Sequence, residues 1–482
     1  FVFLLFSLTI TKLILKEKKV FYLSSVIGSA ALAFTSYQII RGISSYFGID
    51  RLMTQHILWL VFFITCVLLS IFFFKKKVAQ KSFFLLIFFI TIIVSVKYLL
   101  SYEEYKNKTI PFSNSNYIND ITKKTFKINN KNPLPNIFFL VLDSYSRQDI
   151  LEEVSGFNNN EFIDVMRAKG FNNINNSYSN YNIGKISIAS SLQMNYFDSK
   201  NKGYFINDTM DIINGNSNTV TYFKNKGYFY YRAFINRSVG FEGCPTYSEY
   251  CYFGKGGITE FQVFLLKLTP LLRTLRILFP YYTSYSIMNL DDIKDTFPLE
   301  TDIPIFSFIH LLQPYPPFIY RADCSIRTSA NIPEWNTKKL FKWSASLEDE
   351  VFKKYYIDNV KCINQKIISF INWIESKYSD SIIIVQGSNG LGFLYRKEDI
   401  YTRSMETVKK EEIRQELSIL NLIKIPKKCK KNLYHNMTPI NTFRLIIACL
   451  ENKEPNFIVD KLYNLQSGGD GKIKKNLFNI KD

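Results

Sequence analysis

Four apolar stretches fall within the first hundred residues, and no other feature restricts the fold of this chain so tightly. They run from Phe1 to about Leu15, then Val20–Ile40, Ile57–Phe74 and Phe83–Leu100. Each of the last three is long enough to cross a hydrocarbon core of ~30 Å at a helical rise of ~1.5 Å per residue. The run Leu60-Val-Phe-Phe-Ile-Thr-Cys-Val-Leu-Leu69 is apolar all round, as lipid demands, whereas a helix on a soluble core carries one apolar stripe. Lys97 falls near the end of its span, where its ammonium can snorkel to the headgroups. The chain opens at Phe1 inside an apolar run without an initiator Met, so the first stretch is expected to be a truncated span.

The charges between the spans set an orientation. Lys16, Lys18 and Lys19 follow the first stretch, and Lys75, Lys76, Lys77 and Lys81 lie between the third and fourth. The loop between the second and third holds only Arg41 and Arg51. The positive-inside rule puts both Lys clusters in the cytoplasm, so the chain after about Ser101 is expected on the outer side of the membrane. On that count Phe1 starts on the outer side, and one further span before it would repair the mismatch. The formal net charge of +19 favours anionic lipid headgroups as partners, although Lys, Asn, Ile, Phe and Tyr are abundant throughout, as an AT-rich genome would give. No Lys/Arg block interleaved with aromatics forms a nucleic-acid platform, so no nucleic-acid partner is expected.

Residues 1–101 therefore read as a transmembrane region of four helices, and the polar, Asn- and Lys-rich residues 102–131 as a linker. In residues 132–463 the pattern changes. Asn136-Ile-Phe-Phe-Leu-Val-Leu142 is a continuous apolar run ended by Asp143, the signature of a strand buried on both faces. Similar runs occur at Pro304–Ile309, Ser381–Val385 and Leu417–Ile425. Between them Leu347, Val351, Val360, Ile363, Ile367, Ile371 and Ile374 follow a helical stripe, and Thr438-Pro439 reads as a helix start with Thr as N-cap. Alternating strands and helices predict a doubly wound α/β domain. The Gly- and Lys-rich residues 464–482 read as a frayed C-terminal tail.

Seven Cys and three His limit the metal chemistry. There is no CxxC pair for a zinc knuckle. His56 lies beside a span, leaving His310 and His435 for the outer domain, too few for a His-rich two-zinc site. Asp143, at the carboxyl end of a predicted strand, stands where α/β sheets place metal ligands or helix caps.

Several segments carry a resemblance. Asn136-Ile-Phe-Phe-Leu-Val-Leu-Asp-Ser-Tyr-Ser-Arg147 resembles the first metal-ligand strand of bacterial membrane-bound sulfatase-like proteins, and Gly156–Asp164 with Lys169-Gly-Phe171 resembles the segment that follows it. Ser179-Asn-Tyr181 and Ser187-Ile-Ala-Ser-Ser-Leu-Gln-Met194 are similar to the nucleophile segment. Phe308-Ile-His-Leu-Leu-Gln-Pro-Tyr-Pro-Pro-Phe318 resembles a substrate-side segment that usually reads His…Pro-His-Pro-Pro-Phe. Ile382-Ile-Ile-Val-Gln-Gly-Ser-Asn-Gly390 is similar to the second metal strand, usually Gly-Asp-His-Gly or, in arylsulfatases, Asp-Asn-Gly. Leu417–Asn421 and Thr438–Arg444 resemble the closing strand and helix. Taken in order over roughly residues 133–463, these blocks resemble the sulfatase and phosphoethanolamine or phosphoglycerol transferase group of the alkaline-phosphatase superfamily. The resemblance implies a doubly wound mixed α/β sheet preceded by a transmembrane helix bundle. It also implies a hydroxyl or modified Cys nucleophile at a helix N-terminus, activated by a divalent Mn, Mg, Ca or Zn ion.

The sequence departs from that group at the positions that carry the chemistry. The nucleophile position falls on Gly184, which has no attacking group, and Ser187, one turn on, is the nearest hydroxyl. Ser388 stands where the second strand has its ligand Asp, and Tyr315 replaces a His. Asp143 and Asn389 remain as metal-ligand positions, with His310 on the substrate side. The cofactor expectation is therefore none, or a weakly bound divalent cation. His310 is otherwise a strand-end His satisfied by backbone, and His435 a surface loop residue. The function expected first is a membrane-anchored, sulfatase-like protein of envelope polysaccharide or lipid modification, with catalysis lost or strongly reduced. Membrane lipids, an anionic glycan or lipid ligand and an envelope-biosynthesis protein are its expected partners. The alternatives are an active metal-dependent phospho- or sulfo-ester hydrolase or transferase, and a structural membrane protein without ligand. If the domain lies in an oxidising compartment, Cys244 and Cys251 are close enough in sequence to bridge, and Cys324 and Cys362 form a second possible pair, with buried free thiols the alternative.

Overall fold

The computed structural model describes residues 52–73, 134–197, 207–234, 247–252, 290–297, 303–316, 318–327, 345–392, 408–467 and 473–478, together with Ile40 and Ile43. The chain divides into two compact units, Phe1–Asn107 with Gly257–Tyr285, and Lys108–Gly256 with Ser286–Asp482.

In the first unit a helix, α1 (Leu52–Phe73), covers the third predicted span. Its Ile57, Leu60, Val61, Ile64 and Leu68 are exposed. The side chains of α1 are described only within residues 54–68, and among the described residues no helix is long and apolar enough to cross a membrane. The first and fourth predicted spans, and all of the second except Ile40, lie outside the described residues.

The second unit is built on a mixed seven-stranded sheet of order β2-β7-β6-β1-β5-β3-β4. Its strands are β1 (Ile137–Leu142), β2 (Asn172–Asn173), β3 (Phe229–Phe234), β4 (Tyr250–Tyr252), β5 (Ile305–Leu311), β6 (Ile382–Gly387) and β7 (Asn421–Lys424). β1 is central and parallel to both neighbours, pairing Ile137 with Phe306 on β5 and with Ile382 on β6. β7 runs antiparallel to β6, and β2 antiparallel to β7.

Every residue of β1 is buried, because helices cover both faces. Phe138, Leu140 and Leu142 point to one face, against Phe352, Ile363, Ile367, Ile371 and Ile374 of the long helix α8 (Asp349–Lys377). Ile137, Phe139 and Val141 point to the other, against Ile188 and Leu192 of α4 (Gly184–Gln193) and Phe443 and Ile446 of α10 (Thr442–Glu451). Phe139 meets Phe443 edge-on at 5.0 Å. Each such side chain contributes about 1.5–3 kcal/mol on leaving water. The stripe read from Leu347 onward is thus α8, with Asp349 and Glu350 in its first turn and Lys377 in its last, each matching the helix dipole.

Three expectations are corrected. Leu417 closes the helix α9 (Lys410–Leu417), so the strand expected over Leu417–Ile425 shortens to β7. Glu411 and Glu412 in the first turn of α9 favour a helix there over continued strand. Thr438 gives no side-chain cap; the short 3-10 turn Pro439–Asn441 intervenes before α10, and the Thr438 hydroxyl turns to Asp460 instead. The tail is not frayed from Leu465: β8 (Leu462–Ser467) pairs antiparallel with β9 (Ile473–Phe478), held by Leu462 against Tyr178 and Leu417 and by Leu465 against Tyr181 and Ile186.

Cys324 and Cys362 form a disulfide, with Cα atoms 4.9 Å apart. Cys429 and Cys449 form another at 5.7 Å, tying the turn after β7 to α10, a pairing the sequence reading did not find. Cys251 is also disulfide-bonded, while Cys244 lies outside the described residues.

Candidate functional site

The carboxyl ends of the three central strands are laced together by backbone. Asp143 N donates to Leu311 O at the end of β5 (3.0 Å), and Ser388 N donates to Leu142 O (2.8 Å). Asp143 O in turn accepts from Tyr315 N at 3.1 Å. The next residue, Ser144, sits in the left-handed region at φ 56°, a conformation that a non-glycine residue holds only when its surroundings enforce it. Tyr356 of α8 does so: its hydroxyl donates to Ser144 O (2.8 Å) and accepts from Ser146 N (3.2 Å). Burial pushes the pKa of that hydroxyl up, to about 12.

On this frame the predicted residues converge. His310 Nε2 lies 2.9 Å from Asp143 Oδ1. The Ser388 hydroxyl lies 2.8 Å from the same oxygen and 2.9 Å from Asn389 Oδ1. Asn389 Nδ2 donates to Gly390 O at 3.1 Å. Gly184, the first residue of α4, faces this cluster: a Cβ built on it would stand 2.8 Å from Ser388 Oγ and 3.1 Å from Asn389 Oδ1. Gly390 closes the turn where any Cβ would fall 2.3 Å from Gln415 O and 2.5 Å from Ser418 O. Asp143, Gly184, Ser388, Asn389 and His310 thus share one place. Tyr315 reaches it through its backbone, and its ring packs on the core. Ser187 is 1 % exposed, buried one turn into α4. His435 is an exposed loop residue whose carbonyl accepts from Asn176 N at 3.0 Å.

The reading of His310 as a strand-end His satisfied by backbone is corrected. Its partner is the Asp143 carboxylate, and its Nδ1, buried, has none. Tyr356, which holds the Asp143 turn, was missed; it was one more polar residue beside an apolar stripe.

The donor set does not fit a tightly held divalent ion. A hard cation takes six or more oxygens with several formal charges among them. Here one carboxylate, one imidazole, one hydroxyl and one amide oxygen converge, with a single carboxylate charge among them, and both the imidazole and the hydroxyl already engage that carboxylate. Among the described residues no group of three His, Cys, Asp or Glu side chains is placed to hold a metal.

No family model and no curated protein matches the sequence. Solved structures do. The chain is similar to the C-terminal periplasmic domain of EcEptC from Escherichia coli in complex with Zn, with 11% identity over 72% of this chain and 93% of that one, at a TM-score of 0.44. It is similar to the integral membrane lipooligosaccharide phosphoethanolamine transferase A of Neisseria meningitidis, with 12% identity over 94% and 88%, at 0.41. It is also similar to the phosphonate monoester hydrolase SpPMH of Silicibacter pomeroyi, with 12% identity over 69% and 80%, at 0.44.

Proposed function

We propose that this chain is a membrane-anchored protein with a sulfatase-like extracytoplasmic domain, serving envelope polysaccharide or lipid modification as a binding or accessory protein, with catalysis lost or strongly reduced. One observation carries the reading: Asp143, the one carboxylate of the site among the described residues, is engaged by His310 and Ser388, and against Ser388 and Asn389 stands Gly184, which has nothing to attack with. Loss of a nucleophile alone removes about six orders of magnitude of rate where such a group has been deleted. Membrane anchoring is supported by the apolar spans with their alternating Lys clusters and by the exposed apolar side chains of α1. An outer location is supported by the two described disulfides, since cytosolic thiols stay reduced. Its ligand would be an anionic glycan or lipid.

Two experiments test this. The purified chain should contain no stoichiometric divalent metal and release no nitrophenol from aryl phosphate or aryl sulfate; turnover with a bound metal would sink the reading and make Ser187 the first residue to replace. Restoration combines Gly184→Thr, which returns an attacking hydroxyl, with Ser388→Asp, which returns a carboxylate, and the side chain at 388 must turn away from the new Cβ at 184, which would otherwise stand 2.8 Å from Ser388 Oγ. That pair should raise metal content, and if turnover does not follow, Tyr315→His is the next change. For topology, a thiol reagent applied outside should label Asp120→Cys and spare Ala79→Cys; the opposite pattern reverses the orientation.

A further inference from the structure

Arg232 lies in the middle of β3, paired in register with Phe308 of β5 and Cys251 of β4, and is 0 % exposed. Its guanidinium is held between rings, 4.0 Å from the Phe308 centroid and 4.8 Å from that of Phe234. Nη1 donates to Ala233 O at 2.9 Å and, less closely, to Phe308 O at 3.4 Å. Among the described residues Nε and Nη2 have no hydrogen-bond partner and no acid pairs with the guanidinium. Glu249, just before the neighbouring strand β4, accepts from Tyr230 N at 2.8 Å and pairs with Lys224 at 2.6 Å.

Burial lowers the pKa of Arg232 to about 10, so it stays charged at neutral pH. A buried charge without a counter-charge is among the costliest features a fold can keep. The two unpaired nitrogens are not scattered. Nε and Nη2 form one edge of the planar guanidinium, whose parallel N–H bonds match the two oxygens of a carboxylate, phosphate or sulfate. Tyr230, two residues earlier on the same face of β3, also leaves its hydroxyl unpartnered. It lies within electrostatic reach of the guanidinium, which draws the pKa of that hydroxyl down while burial pushes it up.

We propose that the free edge of Arg232, with the Tyr230 hydroxyl beside it, is a buried site for one two-oxygen anionic group, a carboxylate, phosphate or sulfate. The aromatic rings of Phe234 and Phe308 fix the guanidinium plane, and the ligand supplies the missing negative charge. The Phe308 ring that packs on the guanidinium also stacks on His310, 6.3 Å between centroids, so the site adjoins the Asp143 cluster, but it does not rest on the non-catalytic reading of that cluster.

The test uses the full chain dialysed free of oxyanions in chloride buffer. Equilibrium dialysis with labelled phosphate, sulfate and acetate, each at constant ionic strength, should show one of them bound at about one per chain. The same anion should raise the thermal midpoint above that in chloride, and the three arms tell which group is preferred. Arg232→Met should lose at least tenfold in affinity. Arg232→Lys, which keeps a point charge but not the two-nitrogen edge, should lose about as much, and Tyr230→Phe severalfold. Absence of binding by the unmodified chain overturns the proposal, as does equal binding by Arg232→Met. If neither Arg232 variant folds, unchanged affinity in Tyr230→Phe, or no binding by the unmodified chain, overturns it.

Discussion

Two buried polar places lie on the same face of one sheet and meet their needs in opposite ways. At the carboxyl end of β1, Asp143 carries one charge and finds its partners inside the chain, in His310 and Ser388. In the middle of β3, Arg232 also carries one charge, and one edge of it finds nothing. The first place lies on motifs that resemble a catalytic centre, and there Asp143, Ser388 and Asn389 satisfy one another while the buried His310 Nδ1 has no partner among the described residues. The second is marked by no motif, yet it holds an unmet charge.

The contrast is broken or sharpened by substitution. The largest effect is expected at Arg232, and it is a gain. With no oxyanion present, Arg232→Met should stabilise the folded chain by about 1–4 kcal/mol, as when an isolated buried ionic group gives way to an apolar one of similar size. Denaturant midpoints in chloride measure it, and destabilisation there would mean that the charge is met in a way the free edge does not reveal. Asp143→Ala should act in the other direction. It strips the partner from His310 Nε2, at 4 % exposure, and should cost about 1–3 kcal/mol. A neutral result would show that the cluster is loosely held and open to a ligand after all.

A smaller effect is expected at Gly184. Gly184→Ala places a Cβ 2.8 Å from Ser388 Oγ, the far end of a short side chain, and should cost about 1 kcal/mol through overpacking. Ser388→Ala beside it should recover most of that loss, and a double-mutant cycle with no coupling would mean that the two do not face each other.

The smallest effect concerns a third charge, Glu375, met by cations instead of neutral groups. Lys424 and Lys169 reach it at 2.7 and 3.0 Å. Burial pushes its pKa up, but these hydrogen bonds and charges outweigh burial and leave it lowered. A lowered carboxylate pKa contributes stability above its unfolded value, near 4.3 for Glu, and the contribution is lost as pH falls through the folded value. Glu375→Gln should therefore cost about 0.5–1 kcal/mol at neutral pH, and the difference from the unmodified chain should vanish in acid. A difference that persists at low pH would assign the effect to packing.

The sequence by itself determined what depends on short runs of residues. Ile137–Leu142 announced a strand buried on both faces because every side chain in it is apolar, and the stripe through Ile363, Ile367, Ile371 and Ile374 announced the helix that covers it. The resemblance of the motifs, not their spacing, implied one place for Asp143, Gly184, Ser388 and Asn389, each at an end of a regular element. Tertiary structure alone decided what depends on residues far apart in the chain. The strand Leu462–Ser467 is held by Tyr181 and Ile186, residues from far earlier in the chain. Arg232 reads as an ordinary polar residue in Phe-Tyr-Tyr-Arg-Ala-Phe. Only the pairing of β3 between β4 and β5 removes it from water on every side, and burial is a property of the neighbours that the fold brings, which no local stretch of sequence contains.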